Sequence, residues 1–340
     1  MKRAMGAGAL LLALAGLGLW VHTKRMPPMG SEPSPGSVAA AAAATGTDKP
    51  AAASVQDAAA ALRQRLSELP QPSPAGLAAQ ERMMDALWAK NPSARWWRPP
   101  FDQVYPALRA AAGGGDLEAA YVLGKRSAQC RTTAEEHAPE KMLEQWEEEA
   151  QSVPPGPDAR GRMETLRNRY AGDLAQYEAC AAVGRDALDE SLAWLERAGR
   201  GEVEGARLAY VGAWSEQAGR DRDELIADIE RAAEQRNLAR EWLQEGLVAG
   251  DEAALDQYID AYSGRGGLFA RDPVQEMAYR YARDLVQGRR VSRFDALWSD
   301  GPTRYGKMTS QQWDAAEAQG RALFKSYYEA RPEWPDRAPP

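Results

Sequence analysis

Three short stretches decide the fold: Gly115–Ala120 reads GDLEAA, Gly201–Ala206 reads GEVEGA, and Gly250–Leu255 reads GDEAAL. Each follows an amphipathic segment: FDQVYPALRAAAGGGD, DALDESLAWLERAGRGE and RNLAREWLQEGLVAGD. In each, the third residue before the glycine is apolar: Ala112, Ala198 and Leu247. Glycine can take the left-handed conformation that ends a helix, and an Asp or Glu behind it can cap the next one. The stretches therefore predict helix–turn–helix corners with Gly115, Gly201 and Gly250 as the stops. The alanines that follow keep the second helix thin where it packs on the first.

A fourth corner lies in YSGRGGLFARDPVQEMAYRYARDLVQGRR. Here a glycine-rich loop is followed by Asp272 as cap, Pro273 as the first helical residue, Gln275 to complete a capping box, and Gly288 as the stop. The stops at 115, 201, 250 and 288 are 86, 49 and 38 residues apart. Only the last spacing nears the roughly 34-residue unit of tetratricopeptide-like arrays, so the units are irregular and carry insertions.

No segment alternates as a strand would, and the expected class is all-α: an irregular α-solenoid of helical pairs, an α–α superhelix, over residues 99–340. The largest insertion, 131–182, offers two helices around VPPGP, one with Leu143, Trp146 and Ala150 in register and one with Met163, Leu166, Tyr170 and Tyr177. These stripes predict a helical hairpin, and the acidic run EQWEEEA within it reads as a solvated face. Residues 310–329 read as a C-terminal capping helix, with Thr309 and Gln312 as a capping box and a stripe of Trp313, Ala316, Leu323, Phe324 and Tyr327. Residues 54–98 read as N-terminal helices, with Val55, Leu62, Leu66 and Leu69 on one face and Met83, Met84, Leu87 and Trp88 on another. Trp96 and Trp97, beside a Pro-rich turn, are expected to plug the end of a core.

Residues 1–25 belong to targeting. Lys2 and Arg3 precede the apolar run Ala4–Val21, HTKR follows it, and 26–53 is a Pro/Ala-rich stretch expected to be a disordered tether. As a helix the run rises roughly 27 Å, close to a hydrocarbon core of about 30 Å. No small-x-small cleavage pattern follows Val21, so an uncleaved anchor is favoured over a cleaved signal. Either reading places the rest of the chain outside the cytoplasm, in a periplasm-like compartment. Cys130 and Cys180 are the only two cysteines, and pairing is the default in an oxidising compartment.

Function classes narrow by elimination. The formal net charge is −7, with Arg scattered among Asp and Glu, which excludes the basic face of a nucleic-acid binder. The only histidines are His22 and His137, and EEHAPE lacks two His four residues apart, so no metal site is read. GRGG at Gly264 lacks the Lys-Ser/Thr of a phosphate loop, and Cys130 with His137 reads as a structural cysteine beside an exposed histidine. No catalytic, cofactor or metal residues are assigned.

Gly264, Gly266, Gly267, Asp272, Tyr279 and Gly288, with AWLERAGRGE and GDLEAAYVLG, resemble the Sel-one-like repeat, a helical-pair family related to tetratricopeptide repeats. Leu123 and Gly124 match that family's Leu-Gly pair, whereas Ala209 and Tyr258 stand where Leu is expected. The resemblance covers about half of the chain and implies an α-solenoid that binds protein, with no catalytic residues. The expected function is a non-catalytic, envelope-anchored scaffold holding another protein, with the membrane contacted through residues 4–21. Tyr121, Tyr210, Tyr258 and Tyr262 are the candidate contact residues, with interhelical packing as their alternative role. The alternative function is a hydrolase or other enzyme acting on cell-envelope material.

Overall fold

The computed structural model describes residues 55–69, 78, 82, 83, 85, 86, 88, 89, 93–220, 226, 228–289 and 308–330. Its elements are all helices: α1 Val55–Ser67, α2 Ala94–Trp97, α3 Phe101–Gly113, α4 Leu117–Glu136, α5 Pro139–Ser152, α6 Ala159–Val183, α7 Arg185–Asp189, α8 Ser191–Arg200, α9 Ala206–Arg220, α10 Ile229–Val248, α11 Glu252–Tyr262, α12 Pro273–Val286 and α13 Ser310–Tyr327. They belong to one unit, Ala52–Pro340. The apolar run 4–21, the tether 26–53, Met84 and Leu87 lie outside the described residues. No described helix is long and apolar enough to cross a membrane.

All four corners close with the same backbone hydrogen bond, from an N–H to the carbonyl five residues earlier. The pairs are Asp116 to Ala111 (3.1 Å), Val203 to Ala198 (3.1 Å), Asp251 to Gly246 (2.9 Å) and Arg289 to Asp284 (2.8 Å). The residue before each donor has a positive φ: Gly115 at 105°, Glu202 at 59°, Gly250 at 65° and Gly288 at 65°. The second corner corrects the sequence reading, because Gly201 has φ −85° and Glu202 takes the left-handed slot. Gly201 is small for another reason: a Cβ there would stand 2.4 Å from Leu117 Cδ1. Nor does Glu202 cap the next helix, which begins only at Ala206.

Asp116 and Asp251 do cap, accepting from Ala119 N and Ala253 N at 2.9 Å each. Asp272 caps α12 by accepting from Val274 N and Gln275 N. Gln275 does not complete the capping box; its amide exchanges hydrogen bonds of 3.2 and 2.6 Å with Gln319 on α13. That exchange ties α12 to α13.

Packing follows chain order. α3 packs on α4, α4 on α8, α8 on α9, α9 on α10, α10 on α11, α11 on α12, and α12 on α13. Two helices approach closely at the Leu-Gly pair: a Cβ at Gly124 would lie 2.9 Å from Leu195 N and from Ser191 O, both backbone atoms of α8. Ala112, Ala198 and Leu247 are buried, as the corners require. Trp96 and Trp97 pack half-buried against the core of α3 and α4, and Arg126 holds them by donating to Trp96 O and to Pro99 O at 3.0 Å. Burial among these groups lowers the Arg126 pKa to about 10.

The insertion differs from a free-standing hairpin. α4 runs on to Glu136, six residues past Cys130, and α5 and α6 then pack with the ring centroids of Trp146 and Tyr170 5.5 Å apart, edge-on. Their core is completed by α1, whose Ala59, Leu62 and Leu66 are buried with Met142, Trp146, Leu166 and Tyr170. Val55 falls outside this face, 44% exposed, because the helix turns Ala58 and Ala59 inward; Met83 is 58% exposed. Cys130 and Cys180 form a disulfide with their Cα atoms 5.1 Å apart, fastening α6 to α4.

Candidate functional site

α4, α9 and α11 lie side by side, the first two in constant register. Thr132 Oγ1 on α4 donates to Glu216 Oε2 on α9 at 2.8 Å, an offset of 84 residues. Three turns earlier a Cβ at Gly205 would stand 3.4 Å from the Tyr121 hydroxyl, again 84 residues apart. A constant offset over that length means that α4 and α9 run parallel. On the other side of α9, a Cβ at Gly212 would meet Gln257 Nε2 of α11 at 3.2 Å.

Between them runs a cleft of about 370 Å³. Ala209, Gly212 and Ala213 of α9 form its floor, since their small side chains leave the neighbouring helices standing as walls. Tyr121, Lys125 and Gln129 rise on the α4 side and Gln257 on the α11 side. Lys125 Nζ lies 3.4 Å from the Tyr121 hydroxyl and about 5.8 Å above the Trp97 ring, where the aromatic face attracts the cation. The cleft joins a floor of small residues to a polar rim.

The four tyrosines singled out from sequence divide. Tyr121 lines the cleft. Tyr210 is fully buried, edge-on to Trp242 with centroids 5.0 Å apart. Tyr258 is 4% exposed, its hydroxyl donating to Gln244 Oε1 at 2.9 Å and its ring stacked on Tyr279 at 4.2 Å. Half-buried Tyr262 stacks on Phe269 at 4.7 Å. Tyr210 and Tyr258 are therefore packed between helices, and Tyr262 joins the same aromatic stack as Tyr258 while staying half-exposed. The floor was missed, and its signal was AYVGAW, where Ala209, Gly212 and Ala213 put small residues on one face of a helix.

Desolvation raises the pKa of Tyr170 to about 12 and raises those of Tyr210, Tyr258 and Tyr279 further. Each phenol is held neutral in the folded chain above its ordinary value of 10. The stability this contributes is whole below pH 10 and is lost as pH rises through the folded values. Titration of tyrosinate absorbance should show one group ionising near pH 10 and a second only with loss of helical circular dichroism, above about pH 12. A single step near pH 10 with the helices intact contradicts the burial of these rings.

Among the described residues no group of three His, Cys, Asp or Glu is placed to hold a metal ion. Cys130 is committed to its disulfide, and His137 Nδ1 lies 3.8 Å from Asp173. Within EQWEEEA, Glu149 pairs with Arg169 and accepts from the Tyr170 hydroxyl at 3.2 Å, while Glu147 and Glu148 face solvent. No protein-family model, curated protein or solved structure matches this chain.

Proposed function

We propose that the paired helices form an irregular solenoid, similar to the Sel-one-like repeat, whose cleft holds another protein outside the cytoplasm. The observation that carries this reading is the cleft across α4, α9 and α11, of which α4 and α9 run parallel in constant register and α11 flanks α9 on its other side. Helices stacked in chain order build an extended surface suited to a segment of a partner. The apolar run 4–21 serves as membrane anchor in this reading and 26–53 as the tether that gives the cleft reach. A disulfide in so cysteine-poor a chain accords with export to an oxidising compartment.

The test is affinity capture of the full chain from crosslinked membranes, beside a Gly212→Gln variant. Gln at this position displaces only the movable end of Gln257, gains roughly half a kcal/mol of helix propensity, and fills the cleft. Stoichiometric recovery of one protein by the native chain, lost in the variant at unchanged melting temperature, supports the proposal. Equal recovery by both, or turnover of envelope material by the purified chain, refutes it.

A further inference from the structure

The geometry points to a basic segment of the partner as the occupant, with its cations at the end where residues 202–205 lead into α9. This inference rests on reading the cleft as a partner site. A second hollow of about 250 Å³ shares Gly205, Leu208 and Asp251 with the first, so the two form one path. Along it stand five carboxylates, Glu202, Glu204, Glu216, Glu245 and Asp251, against two cations, Lys125 and Arg207.

The two cations leave that excess uncancelled where it matters. Arg207 is engaged, donating to Glu245 at 2.7 Å and to Gly199 O at 3.1 Å. Lys125 sits on the α4 side against the rings of Trp97 and Tyr121. Three of the carboxylates also have work within the fold: Asp251 caps α11, Glu216 accepts from Thr132, and Glu245 holds Arg207. Glu202 and Glu204 remain at the mouth, the Glu202 side chain 85% exposed and 3.9 Å from an Arg207 that is already engaged.

Glu202 also occupies the left-handed slot that glycine fills at 115, 250 and 288. A side chain there costs on the order of 1 kcal/mol relative to glycine. The chain therefore carries a charge in this slot, where the other three corners have glycine. An acidic segment would bring like charges together along the path, and a floor of Ala209, Gly212 and Ala213 admits backbone and long, slender cationic side chains.

Full-length protein is used to select from a library of random peptides. The enriched peptides are expected to be net positive and to weaken about ten-fold or more toward Gly212→Gln. They should weaken about three- to ten-fold toward a Glu202→Gln, Glu204→Gln variant, and with added salt. Both glutamates are exposed, so that variant should melt like the native chain. Enriched peptides that are neutral or acidic yet blocked by Gly212→Gln overturn the basic occupant and leave the cleft as a partner site. Enrichment indifferent to Gly212→Gln, or none at all, overturns both.

Discussion

A chain ending before Thr309 should melt more than about 12 °C below the full chain, or aggregate. The lost helix, α13, buries Trp313 and Ala316 against α12, and Tyr328 just beyond it is 1% exposed. A fully buried large side chain contributes about 1.5–3 kcal/mol, so Trp313, Tyr328 and the half-buried Leu323 and Phe324 together stand for about 6 kcal/mol. At about 2–4 °C per kcal/mol for a domain of this size, that gives the stated shift. Truncation also uncovers Met277, Ala278 and Tyr281 and removes the bond from the Tyr328 hydroxyl to Asp251 O at 2.9 Å. The fit at this interface is close: a Cβ on Gly320 would lie 2.7 Å from Ala278 O. Scanning calorimetry on both chains decides it, and equal melting would mean that α13 is an appendage.

Replacing both cysteines with alanine should cost about 4 kcal/mol and lower the melting temperature by about 8–16 °C. The crosslink closes a sequence separation of 50 residues, and the cost arises mostly in the unfolded chain, whose conformations the bond restricts. Alanine is the fitting replacement because both sulfurs sit in apolar surroundings, at 3% and 2% exposure. The loss should fall first on the unit of α1, α5 and α6, which has a core of its own and is fastened to the rest by this bond and by the packing of α6 on α3 and α4. Thiol counting should find no reactive thiol in the native or the denatured, unreduced chain. Two thiols in both states, or melting indifferent to reductant, would contradict the crosslink.

Local chemistry was the legible part of the fold. The caps at Asp116, Asp251 and Asp272, the Thr309–Gln312 capping box and the buried residue one turn before the stops at 115, 201 and 250 are all formed. These features lie within a few residues of one another, where side-chain chemistry dictates the backbone directly. The second corner was misread by one residue because two requirements overlap there: Gly201 makes room for Leu117, and the turn itself falls on Glu202. A glycine in sequence does not say which of the two it serves. The joining of α1 to the hairpin was illegible for a different reason, since Leu62 meets a core some 80 residues ahead and nothing near it in sequence specifies that partner.

The cleft was half legible. Tyr121 lines it, but Tyr210 and Tyr258 carry the same amphipathic ring, and only the packing tells an interhelical tyrosine from one on a rim. The floor escaped notice because a small residue marks a close approach as readily as an opening. Gly124 lies against the backbone of α8, whereas Gly212 meets only the end of Gln257.

That this cleft holds a partner is tested most directly by a photo-crosslinking residue placed at Gln129, on its rim, and in a second chain at Glu164, exposed on α6 and outside the lining of the cleft. Irradiation in cells should give one discrete adduct from position 129 and none from 164. No adduct from 129, or the same adducts from both positions, would contradict the account.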